Sequence, residues 1–230
     1  MRDTATVLFD ADGVLQHARH GWVGALDAIG GEGFASVVFA RDLPAMRGEA
    51  RMRDCLVAAA EEHGVALDPD DALQLWSRFD IDEEAMAVVA KVRRAGYGVH
   101  LATNQQDVRR DLMRRRYAGV FDEEFYSCEL GACKPAEAFF ASIIDRLDVP
   151  ARQIVFVDDS ARNVAAATSC GIRAHLHDPS SGAAGMRRML AAAVRGGHLP
   201  AVGQPRLRDR AQQVRHTGTR QPPHRRDPSS

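Results

Sequence analysis

The distribution of apolar and polar positions divides the chain into three parts. Short apolar runs alternate with amphipathic helical segments over residues 1–15 and 81–196, which is typical of a parallel sheet with crossover helices. Residues 16–80 show helical spacing with little strand character. From about Gly197 the apolar periodicity stops and Pro, Gln, His and Arg dominate, which predicts a disordered basic tail over 197–230.

The predicted core begins with Val7, Leu8 and Phe9 in succession, a run that suits a strand covered on both faces. Further strands are predicted at 97–104 and 153–160. Between the strands lie helices such as "DEEAMAVVAKVRRAG", with acids at its start, basic residues at its end and a glycine stop. The alternation predicts an α/β fold with a parallel sheet.

Residues 16–80 predict a small helical module. In "RGEARMRDCLVAAAEEHG" the apolar residues Met52, Cys55 and Leu56 share one helical face, and Gly64 ends the helix. A second helix begins at the Asp-Pro pair of "DPDDALQLWSRFD". This module interrupts the predicted α/β core.

Composition and charge exclude several classes of function. The 230 residues are 45% hydrophobic and 27% charged, with a formal net charge of −1. Residues 197–230 hold seven arginines against two aspartates, which leaves the rest of the chain at −6. Such a body is unlike a nucleic-acid binder, and the tail lacks aromatic residues for base stacking, so we expect no specific nucleic-acid partner. No apolar stretch has the length of a membrane span, so we expect a cytoplasmic protein with no membrane partner.

The four cysteines predict free thiols rather than a disulfide framework. Cys128 and Cys133, with His175 and His177 further on, do not have the spacing of a zinc-finger pair. We therefore expect no zinc site.

Two of the predicted strands end on pairs of acids. Asp10 and Asp12 follow the first strand, and Asp158 and Asp159 end the strand at 153–160. Parallel strands present their carboxyl ends at one edge, where open α/β sheets bind ligands. Converging carboxylates repel unless a cation lies among them, and all-oxygen ligands favour Mg²⁺. The alternative is that the first pair only caps backbone N–H groups at a turn.

The same motifs resemble those of the haloacid dehalogenase (HAD) superfamily of hydrolases. "FDADGVL", "LATN", "CKPAEAFF" and "FVDDS" are similar to its four motifs and occur in the family's order over residues 5 to about 178. The resemblance implies a Rossmann-like core, with residues 16–80 as a helical cap inserted between the first and second motifs, as in subfamily I phosphatases.

The resemblance also implies roles for the acids. Asp10 becomes the nucleophile that forms an aspartyl-phosphate, and Asp12 protonates the leaving oxygen and later takes a proton from water. Mg²⁺ is held by Asp10, the Asp12 backbone carbonyl and Asp159. Asp158 binds through a metal-bound water or exchanges roles with Asp159.

The remaining motifs supply phosphate-binding groups. Thr103 and Asn104 are expected to donate hydrogen bonds to phosphoryl oxygens, and Lys134 to neutralise charge on the nucleophile and the phosphate. Asn163 is interpreted as a helix-surface amide.

Asp12 favours a phosphatase within the family. Dehalogenases, and phosphonoacetaldehyde hydrolases with their cap lysine, lack the second acid, and the span 16–80 contains no lysine. The sequence thus predicts Mg²⁺-dependent hydrolysis of a small phosphorylated metabolite, of the kind of a sugar phosphate. A phosphosugar mutase similar to β-phosphoglucomutase is one alternative, and a non-catalytic binding protein on the same scaffold is another. The substrate and the oligomeric state stay open.

Substrate contacts are sought in the cap. Arg47 and Arg51 could reach a substrate hydroxyl or second phosphate, against the alternative of solvated helix charges. His17, Arg19 and His20 follow the first motif and could line the entrance to the site.

Overall fold

A computed structural model describes residues 5–19 and 21–195. The predicted basic tail at 197–230, His20 and the first four residues lie outside this part of the chain. Across the described residues there are seven strands and eleven α-helices. The strands are β1 (Thr6–Phe9), β2 (Gln16–Ala18), β3 (Phe79–Ile81), β4 (Gly98–Thr103), β5 (Glu123–Tyr126), β6 (Ile154–Asp158) and β7 (Arg173–Leu176).

The helices follow in chain order. They are α1 (Trp22–Gly30), α2 (Phe34–Arg41), α3 (Leu43–Met46), α4 (Met52–His63), α5 (Pro69–Leu73), α6 (Glu83–Arg94), α7 (Asp107–Arg116), α8 (Ser127–Leu130), α9 (Glu137–Leu147), α10 (Ala161–Ser169) and α11 (Gly182–Arg195). Short 3₁₀ helices cover Gln74–Ser77, Ala151–Gln153 and Pro179–Ser181.

Five strands form one parallel sheet in the order β5-β4-β1-β6-β7. The first strand lies at its centre, with Phe9 aligned with Leu101 on one side and Val157 on the other. The residues after β1, β4 and β6 therefore emerge side by side at the carboxyl edge. The predicted α/β fold with a parallel sheet is confirmed, and the sheet brings together the motifs that the sequence places far apart.

Both faces of the central strand are buried, as the apolar run predicts. Val7 and Phe9 pack in a hydrophobic cluster on one face of the sheet, and Leu8 packs with Phe156 in another cluster on the opposite face. Helices α6 and α11 contribute to the first cluster, and α9 and α10 to the second. The sheet is thus a rigid, two-sided platform for the groups at its edge.

Residues 16–80, which we call the cap, have a hydrophobic cluster of their own. Helices α1 to α5 and the following 3₁₀ helix bury residues such as Phe34, Leu56 and Trp76 against each other. The helix predicted to end at Gly64 does so, with that glycine in the left-handed conformation at φ 74°. The Asp68 side chain caps α5 by accepting a hydrogen bond of 2.8 Å from the Asp70 N–H.

Residues 16–80 are mostly helical with little strand, as predicted, but two short strands at the ends of the cap were not predicted. Strands β2 and β3 pair antiparallel, with Gln16 opposite Ile81 and Ala18 opposite Phe79. Each strand has three residues, too few for an alternating pattern to show in the sequence. The pairing holds the two connections between cap and core side by side.

The four cysteines are free thiols, as predicted. Within the described residues, no single helix has the length and apolar character needed to cross a membrane. One pair, α1 with α2, meets that test only when taken together, and it is bent by 108°.

Candidate active site

The carboxyl edge of the sheet borders a cavity of about 910 Å³. Its walls contain Asp10, Asp12, Thr103, Asn104, Lys134 and Asp159, all of which the sequence singled out. The cavity also contacts His17, Asn163 and the Pro179–Ser180 turn. The structure thus brings together residues from the ends of three neighbouring strands and from the loop before α9.

Asp10 is nearly buried, with 7% of its surface exposed. Its Oδ1 accepts a 2.7 Å hydrogen bond from the Ala11 N–H and lies 2.8 Å from Lys134 Nζ. Burial raises the pKa of Asp10 to about 7, with a further rise from the Asp158 charge, while the Lys134 ammonium opposes both. Burial therefore disfavours the ionised form of Asp10, and added positive charge stabilises that form.

Lys134 is the buried cation of the site, at 5% exposure. Its Nζ lies 2.7 Å from Asp158 Oδ2 as well as 2.8 Å from Asp10 Oδ1. Burial alone would lower the pKa of Lys134, but the two neighbouring carboxylates raise it above its ordinary value. Lys134 is therefore a buried, paired cation and not a solvated surface lysine.

Asn104 holds the backbone of Lys134. Its Oδ1 accepts from the Lys134 N–H at 2.8 Å, and its Nδ2 donates to the Lys134 carbonyl at 2.9 Å. The carboxamide of Asn104 offers one acceptor and one donor to the N–H and the carbonyl of Lys134. The two hydrogen bonds therefore fix the loop before α9, which carries the Lys134 ammonium. One Nδ2 hydrogen is left over, and donation from Asn104 to a phosphoryl oxygen stays a prediction.

Thr103 ends β4 with its side chain against the cavity. It is 1% exposed, and its Oγ1 accepts a 3.3 Å hydrogen bond from Gln105 Nε2. The hydroxyl hydrogen of Thr103 can therefore be donated to a ligand in the cavity, as the sequence predicts.

Asp158 is fully buried and its oxygens accept four hydrogen bonds. Its Oδ1 accepts from the Ser160 N–H at 2.8 Å and from Asn163 Nδ2 at 3.0 Å. Its Oδ2 accepts from Lys134 Nζ at 2.7 Å and from Asn163 Nδ2 at 3.1 Å.

The interpretation of Asn163 as a surface amide is wrong. This residue lies in the first turn of α10, and its amide nitrogen reaches back to the acid that ends β6 while the side chain lines the cavity. In the sequence, the signal for this contact is the position of Asn163 about one helical turn after Asp158 and Asp159.

Asp159 is exposed and lies beside Gly13. A Cβ on Gly13 would fall 2.1 Å from Asp159 Oδ2, and Gly13 has a φ of +76°. Only glycine fits there, both for the close approach and for the left-handed backbone. Although much of the residue is exposed, partial desolvation of its carboxylate and the neighbouring Asp158 charge raise the pKa of Asp159.

The three acids Asp10, Asp158 and Asp159 fit a divalent cation. Each offers a carboxylate oxygen, and these oxygens lie within 4.8 Å of one another. Lys134 pairs with Asp10 and Asp158, so one ammonium stands against three carboxylates and the ionised cluster lacks positive charge. The donor set is all oxygen, which suits a hard ion such as Mg²⁺. We call this group with Lys134 the carboxylate cluster.

Asp12 has a different environment from the carboxylate cluster. Its Oδ1 accepts from Arg109 Nη2 at 2.6 Å and from Gln16 Nε2 at 2.9 Å, and its Oδ2 accepts from Gln105 Nε2 at 2.7 Å. Its side chain is 43% exposed. We call this group the Asp12 corner.

The sequence analysis missed the three partners of Asp12. Gln105 directly follows the "LATN" motif, which is the one local signal for it. Gln16 belongs to β2, and its Oε1 accepts a 2.9 Å hydrogen bond from the Tyr117 hydroxyl. Arg109 lies in α7, where nothing distinguishes it from the other arginines of that basic helix.

The structure places Arg47 and Arg51 outside the walls of the cavity. Both are exposed. The turn that contains them packs closely on α8. A Cβ atom on Gly48 would fall only 2.0 Å from the Cys128 carbonyl oxygen. Contact of either arginine with substrate stays a prediction that this geometry does not favour.

The residues at the start of the cap have separate surroundings. His17 lines the cavity, 3.6 Å from Asp82, whereas Arg19 pairs with Asp80 at 2.7 Å. Of these two residues, only His17 is therefore in place to line the entrance to the cavity.

Comparison with known proteins identifies relatives with the same fold. A HAD family enzyme from Bacteroides thetaiotaomicron, solved as a magnesium complex, superposes with a TM-score of 0.72 at 19% identity, covering 81% of this chain and 100% of its own. A complex of the same enzyme with magnesium and inorganic phosphate gives 0.66 at 20% identity, covering 76% and 95%. A predicted HAD-like hydrolase from Porphyromonas gingivalis gives 0.70 at 22% identity, covering 81% and 98%. Solved dehalogenases also match, with a TM-score of 0.57.

One curated relative is similar in sequence over a short segment. A drimenol cyclase from Aspergillus calidoustus is 40% identical over 57 residues, which are 25% of this chain and 11% of the cyclase. The matched segment therefore spans about a tenth of that relative.

The family assignment is based on a match over most of the chain. The sequence model of the haloacid dehalogenase-like hydrolases matches residues 4–171. This span contains all four motifs, the cap and the strands that carry the carboxylate cluster. The chain belongs to the haloacid dehalogenase-like hydrolases.

Proposed function

We propose that the protein is a Mg²⁺-dependent phosphatase that hydrolyses a small phosphate monoester through an aspartyl-phosphate. The observation that carries this proposal is the position of Asp10 at the cavity wall, paired with Lys134 and within 4.8 Å of two further carboxylates. A nucleophilic carboxylate, a buried cation and a metal-binding set at one point are what transfer of a phosphoryl group requires.

Asp10 supplies the attacking oxygen. The hydrogen bond from Ala11 and the ion pair with Lys134 both use Oδ1, so we propose Oδ2 as the oxygen that attacks phosphorus. The ammonium of Lys134 reduces the repulsion between this carboxylate and an approaching phosphate. Thr103 donates its hydroxyl hydrogen to a phosphoryl oxygen.

Asp10, Asp159 and the Asp12 carbonyl are proposed to hold Mg²⁺. Asp158 already accepts four hydrogen bonds, so we propose that it orients Lys134 and Asn163 and would reach the ion through a metal-bound water. When bound, the ion supplies positive charge that offsets the carboxylates and draws electron density from the phosphoryl group.

Asp12 is proposed as the acid and base of the reaction. It gives a proton to the leaving oxygen as the ester bond breaks, and it takes a proton from the water that then hydrolyses the aspartyl-phosphate. A halide needs no proton when it leaves, so a carboxylic acid held at this position by Arg109, Gln16 and Gln105 supports a phosphatase over a dehalogenase.

The proposal is tested with purified protein and p-nitrophenyl phosphate, in Mg²⁺ and in EDTA. We expect turnover that requires the metal, with inorganic phosphate released in step with p-nitrophenol, and a phosphorylated protein trapped by acid quench. Full activity in EDTA, or no turnover of any ester in a phosphate-ester panel, contradicts the proposal. Isomerisation of a hexose 1-phosphate without release of phosphate would indicate the mutase instead.

A further inference from the structure

One face of α7 and its C-terminal end contacts both connections between the core and the cap. Four residues at helical spacing form this face, which we call the α7 face: Arg109, Met113, Arg116 and Tyr117. The two arginines contact Phe79 of β3, in the connection that leaves the cap. The methionine and the tyrosine contact Gln16 of β2, in the connection that enters it.

Phe79 is held by the α7 face at both its ring and its backbone. The residue is fully buried, and the guanidinium carbons of Arg109 and Arg116 lie over its ring, 4.7 and 4.4 Å from the centroid. Arg116 Nη1 also donates a 2.9 Å hydrogen bond to the Phe79 carbonyl. Because a guanidinium is attracted to an aromatic face and stacks on it, Arg116 fixes the ring and the ring supports Arg109.

Arg109 depends on this ring for its position. Its side chain is 8% exposed, and its one hydrogen bond to residues 5–19 and 21–195 runs from Nη2 to Asp12 Oδ1 at 2.6 Å. One hydrogen bond leaves a long side chain free to turn about several bonds, so it does not fix the guanidinium by itself. The Phe79 ring supplies the second contact that does so.

Gln16 is the second donor to Asp12 Oδ1, and Tyr117 stabilises the orientation of its amide. Both Gln16 and Tyr117 are fully buried. The Tyr117 hydroxyl donates to Gln16 Oε1 at 2.9 Å, and the other end of the amide, Nε2, donates to Asp12 Oδ1 at 2.9 Å. An amide turned by 180° would present an acceptor to Asp12 instead of a donor. The tyrosine hydroxyl therefore favours the amide orientation that binds the acid.

We infer that the α7 face positions Asp12 for proton transfer, with Phe79, Arg116 and Tyr117 as positioning residues that act through its two donors. The inference rests on the proposed function, because that function makes Asp12 the acid and base. The three positioning residues lie outside the walls of the 910 Å³ cavity, so they affect the reaction through Asp12 and not through contact with the substrate.

The contacts at Asp12 also assign a task to each of its oxygens. Arg109 and Gln16 both hold Oδ1, which leaves Oδ2 to carry the proton. As the P–O bond breaks, its electron pair stays on the leaving oxygen, which takes the proton from Oδ2. Oδ2 then takes a proton from the water that splits the aspartyl-phosphate. A carboxylic acid protonated at one oxygen still accepts at the other, so the same contacts serve both steps.

The first test asks whether Phe79 matters for proton transfer alone. Benzyl phosphate and p-nitrophenyl phosphate both carry a ring, but only benzyl alcohol needs a proton as it leaves. For both esters kcat/KM includes phosphoryl transfer and excludes the later hydrolysis of the aspartyl-phosphate. We expect Phe79→Leu to lower kcat/KM by about tenfold for benzyl phosphate and by about twofold or less for p-nitrophenyl phosphate. Phe34→Leu, which removes a buried ring from the cap, should show no such difference. Equal losses for the two esters in Phe79→Leu overturn its positioning role.

The second test changes the same support without removing a buried side chain. Arg116 and its neighbour Arg115 are both exposed, so either variant should keep the fold. We expect Arg116→Gln to lower kcat/KM for benzyl phosphate by about threefold and to leave that for p-nitrophenyl phosphate unchanged. Arg115→Gln should change neither. The role of Arg116 is wrong if Arg116→Gln matches the wild type or if Arg115→Gln shows the same loss.

The third test removes a single hydroxyl from the support of Gln16. Tyr117→Phe should lower kcat/KM for benzyl phosphate by about threefold to tenfold, the worth of one hydrogen bond, with little change for p-nitrophenyl phosphate. Tyr126→Phe removes another buried hydroxyl, one that donates to Glu124, and should affect neither ester. A Tyr117→Phe enzyme with wild-type kinetics on benzyl phosphate overturns the role of the tyrosine.

The final test asks whether these residues act through Asp12. In an Asp12→Asn background, adding Phe79→Leu or Tyr117→Phe should cause no further loss with benzyl phosphate, because the group that they position no longer moves a proton. A further loss of full size overturns the inference and leaves the phosphatase in place. If Asp12→Asn itself lowers kcat/KM equally for both esters, the proposed acid–base role of Asp12 is wrong, and the inference fails with it.

Discussion

Asp10 of the carboxylate cluster and Asp12 of the Asp12 corner are two residues apart in sequence, but their surroundings are built in different ways. In the cluster, Lys134 and Asp158 are 5% and 0% exposed and only Asp159 is exposed. The partners of Lys134 and Asp158 come from strand ends, the loop before α9 and the start of α10. In the Asp12 corner the acid is 43% exposed, and it is held by side chains from β2, from α7 and from the segment before that helix.

The difference matches two chemical tasks. A group that attacks phosphorus needs a fixed position and a fixed charge balance, which a buried network on a rigid sheet supplies. A group that delivers and takes protons must reach solvent and the leaving group, which suits a half-exposed acid beside the cap connection. Changes in the two regions should therefore affect activity in distinguishable ways.

The largest effect is expected at the centre of the carboxylate cluster. Asp10→Asn should abolish turnover of p-nitrophenyl phosphate and remove acid-stable phosphoprotein, because an amide is not a nucleophile toward phosphorus. Asp145→Asn, an exposed carboxylate on α9, is the matched control and should turn over at the wild-type rate. Wild-type turnover by Asp10→Asn would remove the basis for the assignment.

The next largest effect is expected at Asp12, and it should depend on the leaving group. Asp12→Asn should lower turnover of alkyl phosphates by roughly 10²–10⁴-fold, the usual contribution of general acid–base catalysis. The first release of p-nitrophenol in a rapid-mixing experiment should suffer much less, because that phenol leaves without a proton. Equal losses for both leaving groups would show that Asp12 acts otherwise.

A smaller effect is expected from the positioning residue Arg109. Arg109→Gln should lower turnover of alkyl phosphates by about tenfold, because Asp12 loses its 2.6 Å ion pair but keeps two amide partners. Arg109→Lys should restore part of the loss. The neighbouring Arg110→Gln, whose partners are Asp111 and Glu129, serves as the control. A loss of the same size for p-nitrophenol release would indicate general structural damage instead.

The smallest effect concerns stability, and it tests the charge balance of the carboxylate cluster. Burial raises the pKa of folded Asp10 from 3.8 to about 7, so the folded state binds this proton more tightly than the unfolded state. The free energy of unfolding should therefore fall as pH rises from about 4 to about 7, and stay low above that.

The variant Asp10→Asn cannot titrate at this position. In EDTA its stability relative to the wild type should rise over the same pH window, measured by urea unfolding at several pH values. Added Mg²⁺ should stabilise the wild type more than the variant. A difference that does not change with pH would contradict the raised pKa.

Much of the fold could be predicted because its signals are local. The apolar run of β1 and the acids and glycines at helix ends reflect interactions within a few residues of the chain. Patterning therefore located β1, β4 and β6 and crossover helices such as α6. The strands β2 and β3 were missed, because three residues carry no period and their pairing joins positions more than sixty residues apart.

The candidate site was predictable in part for the same reason. Asp10, Asp158 and Lys134 lie in motifs whose residues follow one another along the chain. Asn163 and Arg109 act through contacts across the fold, and neither stands in a pattern that sets it apart from an ordinary helix residue.

The sequence by itself determined the α/β class, the family motifs and the acids at the strand ends, since each depends on neighbouring residues and on the pleat or the helical turn. Only the tertiary structure decided that Asp158 is held by Asn163, that Asp12 is held by Arg109, and that Arg109 lies over the ring of Phe79. These contacts depend on how strands and helices pack, and packing joins residues whose separation along the chain carries no signal.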